Sequence, residues 1–320
     1  MAVDAILMEH AATRENFDEQ LYLLANPDVV QQIASGGVRS AHEHLTRDGL
    51  REGRPIRLPV ETISAAKAAK RDRMRPILRS DMRSVDNGNC VDFLTDDLRA
   101  AFDIVETDAV SAHDYDPIIL GLVERNSEGL VLDCGSGMRR TYFSNVVNFE
   151  IVDYDTTDVL GVGEELPFRD ECFDAVISTA VLEHVKDPFR CAEEIVRVLK
   201  PGGELICTVP FLQPVHAYPN HFYNMTAQGL QNLFADQLTI KGTSVHGDLR
   251  PLYSVRWILN SWALGLSGRT RRKFERMRVG DLMGDPTKLV DMPFVTELSD
   301  EKNRELACAV QLSAVKPLSS

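Results

Sequence analysis

From about residue 116 onward the chain alternates short apolar runs with stretches of helical spacing, and no other feature restricts its fold so much. The runs are "GLVLDC" (129–134), "FEIVDY" (149–154), "FDAVIST" (173–179), "ELICTVPF" (204–211), "LTIKGTSV" (238–245) and "LACAVQLSAV" (306–315). Strands that alternate with helices form a mostly parallel sheet covered on both faces. The expected architecture over 116–320 is therefore a Rossmann-like α/β domain with a mostly parallel seven-stranded sheet and helices on both faces. Its binding crevice should lie at the carboxyl ends of the strands. Between the last two runs, about 249–300, sits an insert with an amphipathic helix near "YSVRWILNSWALGL" and a basic run, "RTRRKFERMR" (269–278), that reads as a solvated helix face.

Upstream, residues 1–59 read as a small helical module and 60–115 as a helical lead-in. Asn26 can cap a helix that begins at Pro27, and Gly36 and Gly37 can end it. Helices this short are stable only when packed. The pattern "YLxxNPDV … H … G … EGR" resembles a module of bacterial glycosyltransferases and methyltransferases, and it is read as a packing or interaction appendage. In "RPILRSDMRSVDNGNCVDFL" Cys90 is the only cysteine or histidine, so no metal site is expected there.

Composition narrows the partners. With 35 basic and 48 acidic residues the formal net charge is −13, which repels phosphate backbones and argues against nucleic acid. No apolar run approaches the ~20 residues of a bilayer span, and the N-terminus lacks a basic region followed by an apolar core. The six cysteines are scattered without a CxxC pair, which suits buried thiols in a reducing compartment. A cytoplasmic protein without membrane insertion is expected.

The glycine turn in "VLDCGSGMRR" marks a candidate ligand site. Asp133 ends the first strand of the domain, and Gly135 and Gly137 let the backbone approach a ligand. A dinucleotide turn needs GxGxxG, but here the last glycine is Arg140, which weakens a nicotinamide oxidoreductase reading. Twenty residues on, Asp153 is expected at the end of the second strand, where a carboxylate can bind both ribose hydroxyls. The blocks "GEELPFRDECFDAVIS", "VLEHVKDP", "EIVRVLKPGGEL" and "VPFLQPVHAYPNHFYNMT" follow in order. Together these resemble class I S-adenosylmethionine-dependent methyltransferases of the broad small-molecule group, over roughly 116–250 and the last strand. The resemblance implies that Asp133 fixes the cofactor's amino group, Asp153 its ribose, and Glu165 and Leu166 its adenine. Ser178 and Thr179 would border the methionine end. The chain departs from the pattern at Arg139, which replaces the third glycine, at Val162, and in the short segment after the second strand. Glu164 or Glu165 can then take the adenine's hydrogen bond.

The proposed catalytic residues are His184 in "LEHV" and His216 and His221 in the loop after the fifth strand. A histidine there can accept a proton from a hydroxyl, phenol or amine near neutral pH. Tyr218, Phe222 and Tyr223 supply aromatic wall. Glu183 with the same histidines admits a second reading, a divalent-metal site, but the base reading is preferred and no metal is expected. The function expected is methyl transfer to an oxygen or nitrogen of a small molecule or glycan precursor. The alternative is a catalytically silent cofactor-binding scaffold acting through the N-terminal helices.

Overall fold

The computed structural model describes residues 3–105, 114–216 and 220–308. Its strands are β1 (Ala5–Leu7), β2 (Glu9–Ala11), β3 (Pro55–Arg57), β4 (Val85–Asp86), β5 (Val91–Asp92), β6 (Val131–Cys134), β7 (Thr141–Phe143), β8 (Val146–Glu150), β9 (Val159–Leu160), β10 (Phe173–Thr179) and β11 (Leu199–Thr208). Seven of them form the central sheet in the order β11-β10-β6-β8-β9-β5-β4. All neighbours are parallel except β4, which runs antiparallel to β5.

Period-two alternation divides the core between the two faces. Val131, Ala175 and Ile177 turn to the helix Pro117–Arg125, where they meet Ile119, Leu122 and Val123. Leu132 and Val176 turn the other way, toward Ile195 and Val198 of the helix Pro188–Val198. That second helix starts because Asp187 accepts the Arg190 N–H and Pro188 occupies its first position. The expected covering of both faces is thus present.

Three expectations about the sheet need correction. Residues 238–245 form no strand, being interrupted by Gly242 at φ +150°, so β11 is a sheet edge among the described residues. Most of the other expected strand, from residue 309 on, lies outside the described residues. The two strands that complete the seven come instead from the lead-in, where "VDNGNCVD" folds as a hairpin pairing Val85 with Asp92 and Asp86 with Val91. Its Asn-Gly pair is a hairpin signal inside the stretch expected to be a helical lead-in. Finally, no helix follows β6. The chain passes through β7, which pairs antiparallel with β1, and enters β8 within a dozen residues.

The N-terminal module explains its own motif. Tyr22 is fully buried and its hydroxyl contacts His44 Nδ1 at 2.9 Å. A Cβ on Gly49 would lie 2.3 Å from that hydroxyl, so only glycine fits there. Asn26 donates to the carbonyls of Tyr22 and Pro55, and Asp28 makes a two-pronged bond with Arg54. Tyr22, Asn26, Asp28, His44, Gly49 and Arg54 thus each have a structural task. The module is also tied to the sheet domain: the buried Arg57 grips Asp155 through Nε and Nη2 at 2.5 and 2.6 Å and donates to the Arg139 carbonyl. Lys67 binds the carbonyls of Asp155 and Thr157, and Lys70 pairs with Asp158.

Residues 249–300 carry helices at Pro251–Leu264, Gly268–Phe274, Val279–Leu282 and Pro293–Thr296 around Ala263, Leu266, Phe274 and Phe294. No helix is long and apolar enough to cross a membrane among the described residues.

Candidate functional site

The carboxyl ends of β6, β8 and β10 meet at the glycine turn. Gly135 and Gly137 hold φ of +78° and +62°, a region that favours glycine. A Cβ at Gly135 would come within 2.3 Å of Val181 Cγ2, so the turn packs directly on the segment that follows β10. Asp133, at the end of β6, is completely buried. Its Oδ2 receives the Tyr115 hydroxyl and both Nε and Nη2 of Arg139, whose guanidinium also stacks on the Tyr115 ring at 4.2 Å. Its Oδ1 is buried without a hydrogen-bond partner. Arg139, at the position of the missing third glycine, therefore turns toward Asp133 rather than away from the site. At the end of β10, the buried Ser178 hydroxyl lies beside the Cys207 thiol and also lacks a hydrogen-bond partner, while Thr179 is half-buried.

The expected place of Asp153 at a strand end needs correction. The second strand of the domain, β8, ends at Glu150, and Asp153 lies three residues beyond it. Asp153 accepts from the side chains of Asn87 and Asn89 and holds the lead-in turn. Glu150 instead faces the glycine turn: its Oε2 accepts the Gly137 N–H at 2.7 Å and its Oε1 the Ile151 N–H. Burial raises its pKa. The misreading arose because "FEIVDYD" stays apolar past the strand end and offers three acidic residues; no signal in the run itself marks the first.

On the adenine side, Leu166 is fully buried in the core and its N–H is taken by Glu194, so neither its side chain nor its amide is open to a base. Glu165 is partly exposed and pairs with Arg190. Glu164 is buried and accepts the Lys186 and Asp187 N–H groups, and desolvation raises its pKa. Glu164 thus shapes the loop after β10. Of the adenine candidates, only Glu165 keeps an accessible carboxylate.

The three histidines converge. Ring centroids of His184 and His216 are 5.0 Å apart, His184 and His221 5.7 Å, and His216 and His221 4.2 Å. The Asn220–Asn224 loop is drawn to them because the Phe222 and Tyr223 N–H groups bond the Glu183 carbonyl. Carbonyl oxygens only accept, which fixes the tautomers. His184 Nδ1 donates to the Asn220 carbonyl at 2.5 Å and His216 Nδ1 to the Pro214 carbonyl at 2.9 Å, leaving Nε2 of each with a free lone pair. His221 differs: its Nδ1 accepts the His216 N–H, and its Nε2 donates toward Tyr223 O and Asn224 Oδ1. It positions the loop rather than offering a free nitrogen.

Burial lowers the His184 pKa to about 4, assisted by the two nearby histidines, and lowers that of His216. Both are neutral at pH 7. Beneath them Glu183 is 1% exposed, and neither carboxylate oxygen has a hydrogen-bond partner. Burial raises its pKa to about 7. Trp257 of the insert closes one side, its ring 5.2 Å from that of His216. Phe222 and Tyr223 are partly exposed around the cluster, and Tyr218 lies outside the described residues.

Residues 130–207 match the family model described as a methyltransferase domain. Among curated proteins, the chain is 29% identical over 141 residues to the ubiquinone/menaquinone biosynthesis C-methyltransferase UbiE of Proteus mirabilis, covering 38% of this chain and 56% of that protein. It is 40% identical over 63 residues to an uncharacterized methyltransferase of Schizosaccharomyces pombe, covering 20% and 23% respectively. The chain thus spans little more than half the length of the first relative and under a quarter of the second. A solved S-adenosylmethionine-dependent methyltransferase from Methanosarcina mazei is similar at 22% identity and a TM-score of 0.31, over 39% of this chain and 84% of its own. Over residues 130–207, which carry the glycine turn, Glu150, Ser178 and the Glu183–His184 pair, this chain is similar to the methyltransferase domain family.

Proposed function

We propose that the protein transfers a methyl group from S-adenosylmethionine to an oxygen or nitrogen of a small-molecule or glycan acceptor bound over the histidine cluster. The observation that carries the reading is the contact of Gly135 with Val181, because it brings the donor's turn within three residues of His184 and the other histidines. The donor's features fit the strand ends. The unpaired Asp133 Oδ1 and Ser178 Oγ suit an ammonium group and its neighbours, and the Glu150 carboxylate suits ribose hydroxyls.

When bound, S-adenosylmethionine supplies an activated methyl on a sulfonium. The chain's residues have three further tasks: aligning the acceptor, excluding water and receiving a proton. His216 Nε2 is the acceptor of choice for that proton, since it has a free lone pair, whereas burial holds the His184 pKa down at about 4. Phe222, Tyr223 and Trp257 provide an apolar wall. The glycan preference rests on the likeness of the N-terminal module to that of glycan-handling proteins.

A scaffold without transfer activity is the second reading, and the Arg139–Asp133 pair favours it by filling part of the turn. Calorimetry with S-adenosylmethionine decides between them when combined with a methyl-transfer screen on glycan precursors. Binding with transfer, reduced about 100-fold by His216→Ala at unchanged cofactor affinity, supports the enzyme. Binding without transfer to any acceptor supports the scaffold.

A further inference from the structure

We propose that Glu183, His184 and His216 form a binding site for a first-row divalent transition metal, with zinc the simplest occupant. One ligand atom from each of these residues lies within 4.8 Å of the others, and Glu183 Oε1 is 3.9 Å from His184 Nε2. The set is two imidazole nitrogens and one carboxylate, a donor set that favours zinc, iron, cobalt or manganese over magnesium or calcium.

Two independent observations point to a ligand. The first is Glu183, whose carboxylate is 1% exposed and has no hydrogen-bond partner on either oxygen. A buried carboxylate without donors costs several kcal/mol on order of magnitude, and a cation is the direct remedy. The second is the outer hydrogen bonding. His184 and His216 each donate Nδ1–H to a backbone carbonyl, which orients the ring and leaves the Nε2 lone pair for an ion. His221, with both nitrogens engaged, is excluded from the set, and its Nδ1 holds the His216 backbone in place. Ligands about 2.0–2.2 Å from one ion stand roughly 3 Å apart, so the three side chains have to draw together by about 1 Å when the ion enters.

The inference rests on the methyl-transfer reading for its role. An ion here binds the acceptor's hydroxyl beside the donor turn and lowers its pKa, and so takes over from His216 the task of making that oxygen nucleophilic. The proton leaves to solvent, the acceptor oxygen gains the methyl, and the sulfonium becomes a neutral thioether.

The test uses the full chain stripped with chelator, with Zn²⁺ alone and Co²⁺ alone as probes and no cofactor, so its outcome is independent of methyl transfer. Calorimetry should give one Zn²⁺ per chain. Co²⁺ should develop visible ligand-field absorption and quench Trp257, whose ring adjoins His216. Glu183→Gln, His184→Ala and His216→Ala should each weaken Zn²⁺ by about 100-fold, against no change for the distant His10→Ala. Glu183→Gln guards against simple misfolding. It keeps the side chain's shape and removes a buried carboxyl without hydrogen-bond partners, so the metal-free variant should melt close to the wild-type temperature while losing the rise in Tm that Zn²⁺ gives the wild type. Wild type without stoichiometric Zn²⁺ binding, or a Glu183→Gln variant that binds as tightly as wild type, overturns the site. Absence of cofactor binding with intact Zn²⁺ binding overturns only the methyl-transfer reading.

Discussion

Arg139 closes on Asp133: its Nε and Nη2 reach the same Oδ2 at 2.8 and 2.5 Å, and both residues are almost fully buried. A position that the motif reserves for glycine here neutralises the aspartate the motif retains. Removing one partner of such a pair leaves an uncompensated charge. Arg139→Met should therefore lower unfolding free energy by about 3–5 kcal/mol, while the double change Asp133→Asn with Arg139→Met should recover most of it. Urea denaturation of Arg139→Met, Asp133→Asn and the double variant measures the coupling, and strictly additive losses would show that the pair is not a unit.

The two carboxylates near the second strand of the domain make opposite predictions. Glu150 touches the glycine turn, whereas Asp153 is committed to Asn87 and Asn89. Calorimetry should show S-adenosylmethionine affinity falling at least about tenfold in Glu150→Ala, the usual size for a lost hydrogen bond to a charged group. Asp153→Ala should leave affinity close to wild type and lower the melting temperature instead. The reverse pattern would return the ribose to Asp153.

Arg57 carries the junction between the N-terminal module and the sheet domain. Its side chain is fully buried, and Asp155 and the Arg139 carbonyl depend on it. Arg57→Ala should cost about 3–5 kcal/mol, and Arg57→Lys should restore only part because one ammonium cannot make both contacts to Asp155. Limited proteolysis should then cut between the module and the lead-in, where wild type resists.

Alkaline stability draws on buried thiols, Cys90 and Cys172 among them. Desolvation raises Cys90 and Cys172 to about 12 from an ordinary value of 9.0, with Asp153 adding to the effect at Cys90. A raised folded pKa means the folded state holds its protons longer. The contribution is therefore intact below pH 9 and is lost as pH climbs toward 12, at up to about 1.4 kcal/mol per pH unit for each thiol. Denaturation free energies at pH 8, 9, 10 and 11 should fall more steeply in wild type than in Cys90→Ala with Cys172→Ala. Parallel slopes would remove the thiols as the cause.

The sequence by itself determined the elements whose signal is local. The apolar runs at 129–134 and 173–179 are β6 and β10, because a strand buried on both faces must be apolar throughout. Gly135 and Gly137 could be read as a ligand turn, since few other residues tolerate their φ values. His184, His216 and His221 were legible as a group because motif order places them at one edge of a parallel sheet. The tertiary structure decided what depends on distant partners. It ended β8 at Glu150 rather than Asp153, replaced the expected crossover helix with β7 paired to the N-terminus, and drew β4 and β5 from the lead-in into the sheet. It also left Glu183 buried and without partners beneath two oriented imidazoles. Hydrogen-bond satisfaction is a property of whichever groups fold brings together, and a glutamate in a sequence gives no sign of whether its donors will arrive.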